Sequence, residues 1–221
     1  MPEVFSLKID CDIPDETLSF LGELVSPEKK IRAAKLFHKH DRINLLIGEI
    51  LLRVAIQKRA GIAGAAVAFS KDEKGKPVLL SPAGLHFNIS HSGDLIACAL
   101  SDKPVGIDVQ IIKPLANDIA SRFFSADERE YLKKESGDPN AAFCRIWAMK
   151  ESYIKWDGRG LSLPLSSFSV LELAGGGELY FHPAHLCGSA YCFVCTKSER
   201  IASHIHYKLS EFLQNPIIYM I

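Results

Sequence analysis

The seven residues Val105-Gly106-Ile107-Asp108-Val109-Gln110-Ile111 alternate without a break between apolar and other side chains. This pattern commits them to a β-strand, in which Val105, Ile107, Val109 and Ile111 face one side and Gly106, Asp108 and Gln110 the other. Forty residues on, Trp147-Ala148-Met149-Lys150-Glu151-Ser152-Tyr153-Ile154-Lys155 carries Trp147, Glu151 and Lys155 at intervals of four. In a helix these stack along one face, so an aromatic, a carboxylate and an ammonium point the same way. Two elements thus each offer one acid.

The rest of the chain bounds what these acids can serve. With 221 residues, 48% of them hydrophobic, it can bury one large or two small cores. Lys plus Arg (26) equals Asp plus Glu (26), which excludes a surface adapted as a whole to nucleic acid or to an anionic membrane. Any anion must be held by a local cluster. Glu3, Asp10 and Asp12 stand where a signal peptide would carry a basic region and an apolar run, and no membrane-length apolar stretch follows. A cytoplasmic protein is expected, with Cys11, Cys98, Cys144, Cys187, Cys192 and Cys195 reduced. Cys192-x-x-Cys195 is a lone pair within a strand pattern and does not make a zinc site. The histidine pairs His38/His40, His182/His185 and His204/His206 lack acidic or thiol companions at metal-site spacing and read as solvated or capping residues.

In order, Val4 to Asp10 reads as a strand. Ser26-Pro27-Glu28 starts a helix that gathers Lys29, Lys30, Arg32 and Lys35 in about two turns. Asp41 to Arg59 has the apolar spacing of a core helix, ended by Gly61 and Gly64. Val67 to Ser70 and Leu95 to Leu100 read as strands, with a turn at Lys74-Gly75-Lys76-Pro77 and a Ser-His-Ser-Gly junction at Ser90 to Gly93. Ser125-Ala126-Asp127-Glu128 begins a helix with Glu128 at the capping-box position. Ala141 to Trp156 is the helix of Glu151, stopped by Gly158 and Gly160. Phe168 to Leu173, Leu179 to Phe181 and Tyr191 to Thr196 read as strands, with Gly175 to Gly177 turning between the first two. The last twenty residues carry no clear pattern.

An internal likeness organises these elements. Ser26-Pro27-Glu28-Lys29 followed by Gly48-Glu49-x-x-x-Arg53 resembles Ser125-Ala126-Asp127-Glu128 followed by Lys150-Glu151-x-x-x-Lys155, and each helix pair leads into strands. The expected fold is α+β: two similar halves, residues 1–105 and 106–221, related by a pseudo-two-fold, with the active site in the cleft between them. Asp108 would lie near the boundary and Glu151 would come from the second half.

Two carboxylates, the amide oxygen of Gln110, several lysines and a histidine suit a magnesium-bound polyphosphate. The reaction class this serves is transfer of a phosphorus-containing group. The residues alone leave plainer roles open: Asp108 could cap a loop, and Glu151 with Lys155 could be a surface ion pair worth about 0.3 kcal/mol.

Three stretches, Phe87-Asn88-Ile89-Ser90-His91-Ser92-Gly93, Gly106-Ile107-Asp108-Val109-Gln110 and Trp147 to Lys155, resemble the ordered motifs of the 4'-phosphopantetheinyl transferases, in their two-halved, monomeric, surfactin-synthetase-activating branch. The likeness extends to Ser26 to Lys29, Gly75-Lys76-Pro77, Arg122 to Ser125 and Gly160 to Leu165. It implies transfer of phosphopantetheine from coenzyme A to a serine of an apo acyl or peptidyl carrier protein, with release of 3',5'-ADP. Carried over by motif, Asp108, Gln110 and Glu151 would hold magnesium, or manganese. Ser90, His91 and Lys155 would contact phosphates, Lys76 would lie by the nucleotide, and Lys29 and Arg32 would reach its 3'-phosphate region. Glu151 is the first candidate for general base and Glu128 the second, with Lys155 and Lys150 stabilising the leaving group. The sequence departs from the family at Gln110, where an acid is usual, and at Leu45, where a polar residue is expected. Phe124, Tyr131 and Leu132 read as core, with carrier docking as the other role. A metal-dependent phosphohydrolase and a non-enzymatic coenzyme A or carrier-binding adaptor are the alternative functions.

Overall fold

The computed structural model describes residues 1–114, 119–186, 188–215 and 217–218. Cys187 and the Leu161 side chain, both named above, lie outside the described residues. Cys11, Cys98, Cys144, Cys192 and Cys195 are free thiols. No described helix is long and apolar enough to cross a membrane.

The fold is α+β and is layered helix, sheet, sheet, helix. In the first half a four-stranded sheet runs in the order β4 (His86–Ser92), β5 (Leu95–Ser101), β1 (Glu3–Lys8), β9 (Ser203–Lys208). Its strands alternate, as period two requires. Phe5, Leu7, Ile96, Cys98 and Leu100 face the long helix α3 (Lys39–Ala60) and form one core with its Ile47, Ile50, Leu51 and Val54. Val4, Leu95, Ala97 and Ala99 face the other way. They form a second core with Val105, Ile107 and Val109 of β6 (Val105–Ile111) and with Cys192 and Val194 of β8 (Ala190–Thr196). The small alanines let the two sheets approach, and this seam joins the halves. The second sheet is ordered β6, β8, β7 (Tyr180–Pro183), and its far face is covered by α6 (Pro139–Asp157). Both long helices stop at a left-handed glycine, Gly61 at φ 66° and Gly158 at φ 79°.

Two expectations need correction. Residues Phe168 to Leu173 are not a strand: Val170–Gly175 is a short helix, α7, started by Ser169, whose hydroxyl accepts the Glu172 N–H. The apolar alternation breaks at Val170-Leu171, and the serine cap decides the local outcome. Gly175 accordingly ends a helix. The C-terminal segment also carries more than was legible: β9 pairs in parallel with β1, so the last strand of the chain lies in the sheet of the first half. Ile205 and Tyr207 pack on the first core, while His204 and His206 clasp the buried Ser6 hydroxyl at 2.8 and 2.9 Å. These two histidines are bonded partners of β1, and among the described residues no group of three or more His, Cys, Asp or Glu side chains is arranged for a metal.

The alternation of β6 explains where the site lies. Its apolar face makes the sheet-to-sheet seam, which leaves Gly106, Asp108 and Gln110 facing α6. A Cβ placed on Gly106 would fall 2.0 Å from the Ser152 carbonyl oxygen and 2.5 Å from the Trp156 nitrogen. Helix and strand therefore touch backbone to backbone, one turn from Glu151. Gly106→Ala is expected to force the two apart, at a cost of about 3 kcal/mol in urea denaturation, since overpacking a filled contact displaces backbone.

Burial, together with the nearby His206 and His185, holds the His204 pKa below its ordinary value; burial does the same for His206, where Lys8 and Lys208 act against the attraction of Glu211. Below about pH 6.5 the unfolded chain therefore binds protons that the folded chain refuses. Stability should fall as pH is lowered from 7.5 to 5.5, and the double variant H204Q/H206Q should flatten that profile in thermal melts.

Candidate functional site

Asp108 is buried on β6, and both of its carboxylate oxygens are engaged. Oδ1 accepts the Lys155 ammonium at 2.6 Å and the Ser90 hydroxyl at 2.8 Å, and Oδ2 accepts the Gln110 amide at 2.9 Å. Lys155 reaches this point from α6 and also donates to the Ile107 carbonyl at 3.1 Å and to Ser90 Oγ at 2.9 Å. Ser90 in turn accepts the Val109 N–H at 3.3 Å. A hydroxyl has one proton to give and two lone pairs to share, so Ser90 is saturated within the protein. The phosphate contact that the resemblance implies for Ser90 would take the place of one of these bonds. Ser90 ties β4, β6 and α6 together beside the acid.

Glu151 is the complement. It lies half-buried on the same face of α6, and its carboxylate makes no hydrogen bond among the described residues. Burial raises its pKa, the Asp108 charge raises it further, and Lys155 partly offsets both. An unpartnered carboxylate held against a second one lacks a positive charge. The donor set of two carboxylates and the Gln110 amide, all hard oxygens, fits a magnesium-sized cation, and Asp108, Glu151 and Gln110 are the residues that would hold it.

Of the cations expected to meet the nucleotide and its phosphates, Lys29 and Lys76 line a neighbouring cavity of ≈ 920 Å³ in the first half, whose walls also include Glu49, Phe69, Phe87 and Asn88. That volume is of the size that takes a cofactor. Burial lowers the Lys29 pKa against the pull of Glu49, and burial likewise lowers that of Lys76. Lys76 donates at 2.7 Å to the Lys155 carbonyl in the last turn of α6, bridging the cavity to the acid cluster. His91 alternates with Ser90 and so points to the opposite face of β4. Its pKa is lowered by burial and then by Lys155, with Asp41, His40 and Lys29 also near. Arg32 is exposed, close enough to affect Lys29 but outside the cavity wall. Leu45 packs at the edge of the first core.

Two candidates are not brought to the site at all. Glu128 and Lys150 are both 0% exposed and bonded to each other at 2.6 and 2.8 Å. Glu128 also accepts the N–H groups of Ser125 and Val170, and Lys150 donates to the Phe168 carbonyl at 2.8 Å and lies over the Phe168 ring. The capping-box role read for Glu128 is present. Every donor and acceptor of the pair is bonded within the fold, which leaves none free here for the base and leaving-group roles expected of it. Phe124 is fully buried, with Tyr131 and Leu132 packed against the same core, and Trp147 stacks on Phe143 in that cluster, so it aims α6. The internal likeness also diverges: Glu49 caps the Ser26 N–H and hydroxyl at 2.7 and 2.9 Å and pairs with the buried Arg53, so it is used up within its own half.

The sequence reading missed Asn88 and the packing role of Gly106. Asn88 Oδ1 accepts the Ile107 N–H at 2.9 Å, next to Asp108. Its available signal was the interval of two that sets Asn88, Ser90 and Ser92 on one strand face.

Comparison with known proteins bears on this geometry. A family model described as 4'-phosphopantetheinyl transferase superfamily matches residues 104–205, and one described as 4'-phosphopantetheinyl transferase, N-terminal, matches residues 14–103. A 4'-phosphopantetheinyl transferase of Bacillus subtilis is 46% identical over 200 residues, covering 86% of this chain and 89% of its own. The 4'-phosphopantetheinyl transferase Sfp of Bacillus subtilis (strain 168) is 38% identical over 169 residues, 76% of this chain and 75% of its own. The 4'-phosphopantetheinyl transferase gsp of Aneurinibacillus migulanus is 34% identical over 171 residues, 77% and 71% respectively.

Lys150→Met should cost about 3–5 kcal/mol in urea denaturation, because it leaves Glu128 charged and unpaired in the core. The double variant E128L/K150M should recover most of that. A double variant that is stable yet inactive would return Lys150 to the reaction.

Proposed function

The chain belongs to the 4'-phosphopantetheinyl transferase superfamily, and from that premise we propose that it moves the 4'-phosphopantetheine of coenzyme A onto a serine hydroxyl of an apo acyl or peptidyl carrier protein. The observation that carries the reading is Glu151: a half-buried carboxylate with raised proton affinity and no partner, facing Asp108 and Lys155 beside a cation-lined cavity. The N-terminal half would take the nucleotide in that cavity, with Lys29, Lys76 and Arg32 toward its phosphate-bearing ribose. The C-terminal half would hold the pyrophosphate, with His91 and Lys155 meeting its charge at the boundary. Asp108, Glu151 and Gln110 would hold magnesium, which supplies charge neutralisation at the pyrophosphate when bound.

In the reaction the carrier serine oxygen forms a bond to the β-phosphorus, and the bond from that phosphorus to the bridging oxygen breaks, so 3',5'-ADP leaves. Glu151 takes the serine proton, directly or through a water molecule. Lys155 moves charge compensation from Asp108 toward the phosphates as the leaving group gains charge. Both acids and the cation come from one chain, which supports a monomer as the working unit, and the free thiols suit a cytoplasmic setting.

Incubated with coenzyme A, magnesium and a panel of apo carrier proteins, the protein should add the mass of phosphopantetheine to a carrier. No gain with any carrier would overturn the reading, and release of phosphate or phosphopantetheine to water without a carrier would favour a hydrolase. Glu151→Gln should lower turnover on the order of a hundredfold or more, the scale of losing one group that stabilises charge in the transition state. Gln110→Glu should lower the magnesium concentration needed for half-maximal turnover and enlarge the rise in melting temperature on adding magnesium. An unmoved titration would remove Gln110 from the metal.

A further inference from the structure

β6 is an edge strand, paired on one side only with β8. Every second N–H therefore points away from its sheet and needs an acceptor. The acceptors are side chains. On β4, Asn88, Ser90 and Ser92 share one face at intervals of two residues, about 6.8 Å apart at each step. Asn88 Oδ1 accepts the Ile107 N–H at 2.9 Å, Ser90 Oγ the Val109 N–H at 3.3 Å and Ser92 Oγ the Ile111 N–H at 3.2 Å. Three polar side chains thus stand where the backbone of a neighbouring strand would, and they set β6 against the first half residue by residue.

Of the three, Asn88 is the one that holds the strand next to Asp108 without touching the acid or Lys155. It lines the large cavity of the first half, and the peptide it holds belongs to Ile107, the residue before Asp108. The carbonyl of Ile107 is held by Lys155 at 3.1 Å. The strand is therefore pinned at both polar groups of one residue, immediately before the acid. Remove the Asn88 oxygen and the Ile107 N–H loses its acceptor, so the strand shifts toward another. Any such shift carries Asp108 with it.

We propose that Asn88 is a positioning residue for the transfer reaction, fixing Asp108 through the Ile107 peptide, so that its loss lowers turnover far more than it weakens coenzyme A binding. The inference rests on the reading of Asp108 given above. The size expected is on the order of tenfold in kcat, the scale on which supporting partners of metal-site residues act.

The test measures kcat and KM for coenzyme A, with urea midpoints, for Asn88→Leu, Asn88→Asp, Ser92→Ala and Asp108→Asn. Asn88→Leu should lose about tenfold in kcat with KM within about threefold, whereas Asn88→Asp, which keeps the acceptor oxygen, should regain most of the loss. Ser92→Ala removes a comparable bond three residues beyond Asp108; it should lower the urea midpoint to a similar degree and leave kcat within about twofold. If Asn88→Leu does not fold, Asn88→Ala reads the same quantity. An inactive Asp108→Asn together with wild-type kcat in Asn88→Leu would overturn the inference alone. Equal loss in Asn88→Asp and Asn88→Leu would overturn it too, since the acceptor would then not matter. A fully active Asp108→Asn would overturn the reading of the site on which it rests.

Discussion

The site depends on one contact with no side chain in it, the approach of α6 to β6 at Gly106. A β-carbon there would lie 2.0 Å from the Ser152 carbonyl oxygen, so the helix can rest on the strand only because the strand offers bare backbone. Sheet-to-helix packing through ordinary side chains is several ångströms wider. At that wider spacing the short Asp108 side chain would not meet the Lys155 ammonium at 2.6 Å. The glycine thus converts two separately stable elements into one cluster, and the stacked ring of Trp147 on Phe143 fixes the rotation of the helix so that Glu151 and Lys155 face the strand.

Charge within the cluster is left deliberately uneven. Asp108 has Lys155 and Ser90 on Oδ1 and Gln110 on Oδ2, so three of its bonds are made within the protein and one lone pair of Oδ2 stays open. Glu151 has only the field of its neighbours, and burial works against its ionisation. Adding a hydrogen-bond donor to Glu151 would remove that imbalance and with it the affinity for an incoming cation or proton. Lys155 is the counter-ion of Asp108 and partly offsets the repulsion felt by Glu151, which keeps two close carboxylates tolerable in one fold.

Much of this was legible in the sequence, and the reason lies in periodicity. β6 and α6 announce themselves by strict patterns of two and four, and the acids fall on the faces those patterns assign. Ser90 was legible as a polar group at a junction but not as a saturated one, because saturation depends on Val109 and Lys155, 19 and 65 residues away. Lys150 and Glu128 read like catalytic charges because a sequence does not show which charges end sealed in a core; only the capping-box spacing of Glu128 hinted at structure. β9 escaped notice because it offers two apolar residues, Ile205 and Tyr207, and pairs with a strand 200 residues earlier. A parallel partner at that separation leaves no local turn to detect.

The two halves show what separates a structural acid from a working one. Glu49 and Arg53 repeat the spacing of Glu151 and Lys155, yet Glu49 binds the Ser26 cap and its own Arg53, all within the first half. In the second half the corresponding cap is bonded by Glu128 instead, whose charge is answered by Lys150. That substitution relieves Glu151 of the capping duty. Lys155, free of its i−4 partner, reaches across to Asp108 on the neighbouring strand. The buried Glu128–Lys150 pair is therefore the condition under which Glu151 is left without a hydrogen-bond partner among the described residues.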